Sequence, residues 1–557
     1  MAGKPNERPA KRATSKKSSS SRRRLRPAKP VAVVALPDAF ESYQQACDYL
    51  TTRHNLERLQ PDKVDPSMLT LDRMTALLEA LGNPQQGLKL IHVAGSKGKG
   101  STCEMTTAAL SGCGFTVGLY TSPHLVDLRE RFRIGPSKIS PSDFCVYLHR
   151  VAKAAVGLER KFGPATFFEL TTAMCFCYFA DQAIDVGVIE VGLGGRLDST
   201  NVITPEVTAI TAIQLEHTQI LGDSLAKIAG EKAGIMKPGV ACVTIPQENE
   251  ALDAFRARAA AVGCPLRVIG TPELEFSHRF EATPDLGPHV RVSLSTPRCQ
   301  FEHVPVPLKG EHQAFNCGLA LAIVDALRER GWKAPERQVT QGLARTPNFG
   351  RLEQVWERPR IIVDGAHNPE SVSGLVKAIG AHMRYDSMVM IFGCAADKNV
   401  PGMLQAVARG ADKIIFTRAS DSPRAMDPKE LHRRFAEFSH KMVQTAPTVK
   451  DAINMAARAV ARDDIICVTG SFYVAGEAKK LLVEKAEALA AEKLPSNLSR
   501  IEPKPDTKPE SRHDARSEAR PALGTEARPQ ASAGVKPPVG ERKPVTKATG
   551  KPGSRDS

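Results

Sequence analysis

The sequence predicts an α/β protein: a P-loop domain with a mostly parallel sheet, then a smaller Rossmann-like α/β domain, flanked by disordered basic tails. Three observations predict it. A short apolar strand, "LKLIHVAG", runs straight into a loop rich in glycine and lysine and then into a helix. On either side, apolar strands that end in polar residues alternate with helical stretches, the pattern of a doubly wound sheet. The charge, finally, sits at the ends of the chain and leaves the body neutral.

Of the formal +15, residues 1–30 contribute eleven Lys/Arg against Glu7 alone, and residues 495–557 thirteen against eight Asp/Glu. Both ends carry too little aliphatic surface to offset the entropy of ordering. The expected layout is a basic tail over 1–38, a P-loop domain over 39–343, the smaller α/β domain over 344–490 and a Pro/Lys/Arg-rich tail over 491–557. A neutral body without interleaved basic and aromatic residues argues against nucleic acid as its partner; the tails allow only a salt-sensitive contact with a polyanion. No apolar run reaches the roughly 18–20 residues of a membrane span. "VAVVAL" stops at Pro37, short of the roughly 7–15 residues of a signal-peptide core. Twelve scattered cysteines without a C-x-x-C pair indicate reduced thiols, hence a cytoplasmic chain, read here as a monomer.

Residues 40–87 read as helical, with "LDRMTALLEALGNP" stopping at Gly-Asn-Pro. After the loop, "CEMTTAALSGCG" is a helix and "TVGLYTSPH" a strand. Helices follow over 142–160 and 166–180, strands in "DVGVIEVGLGG" and "EVTAITAIQLEHT", and a helix over 224–236. Residues 265–309 read as irregular or antiparallel and receive no role. "GEHQAFNCGLALAIVDAL" is a helix. Beyond a seam at "GLARTPNFGRLE", marked by turn residues, a second strand series runs through "PRIIVDGAHNP", "SMVMIFGCAADKN", "ADKIIFTRA" and "DDIICVTGSFYVAGEAKKLL".

The loop "HVAGSKGKGST" departs from the Walker spelling: only two residues separate Gly95 from Gly98-Lys99, and Gly100 precedes Ser101. Its chemistry still suits phosphate, because glycine lets backbone N–H groups approach oxygens and the following helix start adds favourable dipole. Lys99, at that start, is placed to reach outer phosphates, and Ser101 to face phosphate or metal; Lys97 is expected to point outward. A nucleotide site calls for magnesium on hard oxygen ligands. Glu190 at a strand end is the natural carboxylate, and Ser122 offers a hydroxyl. Composition does not choose among His124, His217, His312 and His367. "GRLDSTN" and "VDGAHNPES" suit a polar ligand or an ordinary turn equally, and Lys232 reads as a solvated helix lysine.

The segments "VAGSKGKGST", "YTSPHLVDLRERFRI", "IEVGLGGRLDSTN", "EHT", "IAGEKAGIMKPG", "HQAFN", "GRLE" and "VDGAHNP" occur in the order found in the folylpolyglutamate synthase/dihydrofolate synthase family of the Mur ligase superfamily. The chain resembles that family over about residues 40–490. The resemblance implies an ATP-dependent ligase. ATP phosphorylates a pteroate or folate carboxylate, the amine of L-glutamate captures the acyl phosphate, and phosphate leaves. One or both folate steps are implied, with dihydropteroate or folates, L-glutamate and ATP as the small-molecule partners. The alternative is another Mur-type ligase acting on a cell-wall precursor, against which the SPHL and GLGGRLD stretches argue.

Carried over by position, Ser96, Lys97, Gly98, Lys99, Gly100 and Ser101 resemble the ATP phosphate cradle, and Asn316, Arg351 and Asp364 further ATP contacts. Ser122, Glu190 and His217 resemble magnesium ligands. Lys232 matches a lysine that is carbamylated in the superfamily, which would make it a carboxylate-like ligand for a second Mg2+. Leu197, Asp198 and Ser199, with Thr166, Phe167, Phe168 and Glu169, resemble a pterin-side pocket; His367 and Ser471 resemble glutamate contacts. Lys99, Lys232 and His367 are thus the catalytic candidates. Two departures stand out: Ser96-Lys97 replace the usual Thr-Asn, and Glu216 replaces the Asp typical before the histidine.

Overall fold

A computed structural model of the chain describes residues 35–55 and 69–492. Residues 1–34 and 493–557 of the two expected tails, and with them the expectation of disorder there, lie outside the described residues, as does the 56–68 part of the first helical reading. What remains of that reading is two α-helices, Tyr43–Thr51 and Asp72–Ala80, and a short 3-10 helix, Pro84–Gly87.

Eight strands build the first sheet: β1 (Leu90–Ala94), β2 (Val117–Tyr120), β3 (Phe132–Ile134), β4 (Ser137–Lys138), β5 (Val186–Glu190), β6 (Val207–Ile210), β7 (Cys242–Thr244) and β8 (Leu266–Val268). Their order is β4-β3-β2-β5-β1-β6-β7-β8. Only the β2–β3–β4 edge is antiparallel; β1 pairs parallel with both β5 and β6. Side chains alternate across β1, so its two faces feed two cores. Ile91 and Val93 pack with Leu110, Leu319 and Ile323 from the helices Lys99–Gly112 and His312–Glu329. Leu90 packs with Phe144 and Phe176 from the helices Pro141–Phe162 and Phe167–Asp181.

The stretch read as irregular or antiparallel is a meander: β9 (Glu275–Thr283), β10 (Gly287–Thr296) and β11 (Cys299–Pro305), ordered β11-β10-β9. Its cause is visible in β10, where Val290, Val292 and Leu294 alternate onto one buried face and join the core of the first sheet.

A second sheet holds β12 (Glu353–Trp356), β13 (Arg360–Val363), β14 (Met388–Phe392), β15 (Lys413–Phe416), β16 (Met442–Thr445) and β17 (Ile465–Thr469), ordered β12-β13-β17-β14-β15-β16. It is parallel apart from β12. All twelve cysteines are free. No helix among the described residues is long and apolar enough to cross a membrane.

In open parallel sheets ligands gather at the carboxyl ends of the strands. The glycine loop follows β1, Ser122 follows β2, Glu190 ends β5 and Glu216-His217 follow β6. From the second sheet, Asp364 and His367 follow β13, Lys398 follows β14 and Ser471 follows β17.

Candidate active site

Two glycines shape the loop. Gly95 and Gly98 have φ of +142° and +95°, and a Cβ would lie 1.8 Å from Thr211 Oγ1 at the first and 2.2 Å from Asn316 Oδ1 at the second. Any side chain there would be strained and would clash. Ser96 and Lys97 donate backbone N–H groups to Ala212 O, tying the loop to the end of β6. Behind it, Gln313 Nε2 donates to Ser101 Oγ (3.4 Å) and Asn316 Nδ2 to Gln313 Oε1 (2.9 Å). Sequence reasoning misses Gln313; its i,i+3 spacing from Asn316 on one helix is the available signal.

The two loop lysines diverge. Lys99 Nζ donates to Gly95 O at 3.0 Å. Lys97, expected to point outward, instead turns inward to the second sheet: its Nζ lies 2.9 Å from His367 Nε2 and 3.7 Å from Glu216 Oε2. Burial lowers its pKa to about 8. His367 Nδ1 lies 2.8 Å from Gly365 O and must donate there, so Nε2 is the acceptor and Lys97 the donor. Burial also drives the His367 pKa well below its ordinary value.

Glu190 is 4% exposed, and its Oε2 accepts Ser122 N–H at 3.1 Å. Among the described residues no Lys or Arg comes within ion-pair distance of it. Burial raises its pKa from 4.5 to about 7, although Lys99 and Arg351 pull the other way. A buried acid lacking a contacting cation is a fitting ligand for one. Among the described residues no group of three or more His, Cys, Asp or Glu could hold a metal. The buried Glu190 carboxylate offers the hard oxygen donor that a magnesium ion shared with phosphate and water accepts.

Lys232 is not the solvated lysine its helix position suggests. It is 2% exposed, and its Nζ donates to Gly95 O (2.9 Å) and Glu216 Oε1 (3.1 Å). Burial lowers its pKa to about 8, enlarging the neutral fraction, which is the form that reacts with carbon dioxide. Burial pushes the Glu216 carboxyl up, but Lys232, Lys99 and Lys97 together hold it well below the usual carboxylate range. The histidines separate as well. His124 Nδ1 accepts from Arg131 Nε at 3.0 Å, and His312 heads the helix that carries Asn316. His217 stands beside Glu216 in a left-handed turn, with φ +47°.

Arg351 and Asp364 join the sheets. The Arg351 guanidinium sits 5.4 Å from the Phe472 ring centre, and Nη2 approaches Gly100. Asp364 accepts the N–H groups of Leu352 and Ala366, both at 2.9 Å. Gly100, Ser101, Ser122, Glu190, Arg351 and Phe472 line part of a cavity of about 450 Å³.

Around residues 192–199 and the start of the helix Phe167–Asp181, several side chains are committed to the fold. Thr166 caps the helix Phe167–Asp181 in a reciprocal capping box with Glu169. Glu169 also accepts from Arg73 Nε through both oxygens, at 3.0 and 2.8 Å. Asp198 staples its own loop by accepting Leu193 N–H and Thr200 N–H. Arg131 stacks over Phe167 at 5.1 Å, and Phe168 packs on Gly192, where a Cβ would come within 2.4 Å of its ring. Leu197 and Ser199 flank this loop, half-buried. Ser471 Oγ accepts Val474 N–H at 3.1 Å, capping the helix Phe472–Glu492. Lys398, also missed by sequence reasoning, is half-buried after β14 with its pKa lowered by burial; its strand-end position is the signal.

Residues 93–324 match the Mur ligase middle domain, and residues 350–472 the Mur ligase glutamate ligase domain. The chain is similar to the dihydrofolate synthase/folylpolyglutamate synthase of Bacillus subtilis, 33% identical over 415 residues covering 74% of this chain and 94% of the relative. It is similar also to that of Mycobacterium tuberculosis, 34% identical over 486 residues covering 81% and 96%. Among solved structures it resembles the Mycobacterium tuberculosis folylpolyglutamate synthase complexed with ADP, with TM-score 0.71, 32% identity and coverage of 79% of this chain and 98% of that one. The E. coli FolC in complex with DHPP and ADP gives TM-score 0.69, 27% identity and coverage of 81% and 100%.

Proposed function

The chain belongs to the dihydrofolate synthase/folylpolyglutamate synthase family of Mur ligases, and from that premise we propose that it joins L-glutamate to dihydropteroate and to the γ-glutamyl chain of tetrahydrofolate at the expense of ATP. The observation that carries this reading is the buried Glu190 carboxylate, without a contacting cation among the described residues, facing a glycine cradle whose following helix begins at Lys99. Both activities appear in the names of the Bacillus and Mycobacterium relatives, which supports a bifunctional enzyme. The relatives' complexes with ADP support the nucleotide, and that with DHPP supports a small-molecule ligand beside it in the same fold.

A carboxylate is a poor electrophile, so the γ-phosphoryl group of ATP is transferred to it; the resulting acyl phosphate is attacked by the glutamate amine, and the C–O bond to phosphate breaks. Ser96, Gly98, Gly100, Ser101, Asn316 and Asp364 form the nucleotide surround, while Lys99 and Arg351 set positive charge against the transferring oxygens. Ser122, Glu190 and His217 would hold magnesium, and a carbamylated Lys232 a second ion; bound there, the metal supplies neutralisation of phosphate charge. Phe167, Phe168, Leu197, Asp198 and Ser199 border the pterin, on a wall that Thr166 and Glu169 hold in shape. His367, Lys398 and Ser471 border the incoming amino acid. The P-loop domain over 39–343 and the smaller domain over 344–490 bring these two sides together, in a cytoplasmic monomer.

Phosphate release tests the proposal: ATP with dihydropteroate or tetrahydrofolate should yield phosphate only when glutamate is present. Complementation of two auxotrophies, one per folate step, separates one activity from both. No ATP consumption with either acid would overturn it.

A further inference from the structure

Lys97 belongs to the loop expected to grip phosphate, yet its ammonium is bonded across to the second sheet. We propose that Lys97 is a positioning residue that clasps the phosphate loop to the β13 turn through His367, coupling the nucleotide side of the site to the amino-acid side, and is not a phosphate ligand. The clasp rests on the reading of His367 as a neighbour of the incoming amino acid.

Three observations carry it. The contact is short, 2.9 Å, and joins residues 270 positions apart, so it ties the two sheets and not neighbours in one loop. Its polarity is set, because His367 spends its Nδ1 proton on Gly365 O and leaves only a lone pair at Nε2 for the lysine. And the contact does not end there. Glu216 lies 3.7 Å from Lys97 and 3.1 Å from Lys232; Lys232 donates to Gly95 O at 2.9 Å, and the same carbonyl takes Lys99 at 3.0 Å. A continuous polar path therefore runs from His367 on the second sheet to the lysine that faces phosphate. A nucleotide that draws Lys99 off Gly95 O alters a carbonyl whose other donor, Lys232, leads through Glu216 to the clasp. Lys97 has little freedom to leave it, since its backbone N–H is pinned to Ala212 O between the two left-handed glycines.

The test uses the full chain carrying Lys97→Met, which keeps length and removes the donor. With saturating ATP and dihydropteroate, the KM for glutamate should rise about 10-fold or more, within the range of coupling between sites. The Kd for ADP should stay within about 3-fold of the parent, because the phosphate contacts are intact. His367→Gln should reproduce the glutamate effect, and the double variant should be no worse than the worse single, since both act through one bond. Lys97→Arg, which keeps a donor, should restore most of the glutamate KM and serves where Lys97→Met fails to fold. Loss of ADP affinity with unchanged glutamate KM, or multiplying effects in the double variant, would overturn the clasp. A parent enzyme that consumes no ATP with glutamate would overturn the ligase reading instead, so the two failures are distinguishable.

Discussion

Glu190 and Glu216 are the same residue type, flank the same glycine loop and lie at or beyond the carboxyl ends of β5 and β6, the strands on either side of β1, yet their environments push them in opposite directions. Glu216 has its cations inside the chain: Lys232 and Lys97 bracket it, and its carboxyl is held well below the ordinary range. Glu190 has one backbone N–H and, among the described residues, no contacting cation, and burial lifts it to about 7. A carboxylate whose charge is balanced by the fold stabilises the fold. One whose charge is left unbalanced in a buried site is waiting for a ligand to balance it.

The sharpest way to break this contrast is on Lys99, the cation proposed to face the transferring phosphate. Lys99→Ala should lower kcat by about 10²–10³-fold in a phosphate-release assay, the usual loss for one positioned electrostatic group. Unimpaired turnover would move the phosphate role to another residue. Glu190→Gln should cost about 10²-fold in kcat while making the metal-free protein more stable. The sign follows from the raised pKa: the folded state disfavours the ionised form, so the penalty is absent below 4.5 and complete above about 7. In urea unfolding without divalent cations, the gain from Glu190→Gln should therefore grow between pH 4.5 and 8, to at most about 3 kcal/mol. A gain that shrinks over that interval would mean Glu190 already has a cation in the chain.

Glu216→Gln should do the reverse. It strands Lys232 and Lys97, and the expected destabilisation is about 2 kcal/mol, below the 3–5 of a fully buried pair because Glu216 keeps 12% of its side chain exposed. Since its folded pKa is depressed, its contribution is present above the unfolded value of 4.5 and is lost as pH falls below it; parent and variant stabilities should converge in acid. The smallest effect is Thr166→Ala, which removes a helix cap and should cost about 1 kcal/mol with KM for the pterin acid unchanged. A raised KM there would make Thr166 a ligand contact as well as a cap.

Much of this arrangement is legible in the order of the residues. Alternation of strand and helix, the glycine loop after "LKLIHV" and the rule that sites gather at strand ends together point to Glu190 and Asp364. Other signals are weaker but present: "TFFE" has the spacing of a capping box, which is what Thr166 and Glu169 form, and "VRVSL" carries the alternation of the meander strand β10. The direction of Lys97, the burial of Lys232 and the bridging role of Glu216 are not legible. Each depends on a partner far away in the chain: His367 is 270 positions from Lys97, and Gly95 is 137 from Lys232.

The sequence by itself determined the order of the elements, the positions where only glycine is tolerated and the chemical types gathered at the strand ends, because local sterics and hydrophobic periodicity act over a few residues. The tertiary structure alone decided which ammonium meets which carboxylate, and which carboxylate meets none. That choice is electrostatic and depends on separations of a few ångströms and on exclusion of water, and neither quantity exists until distant segments have packed.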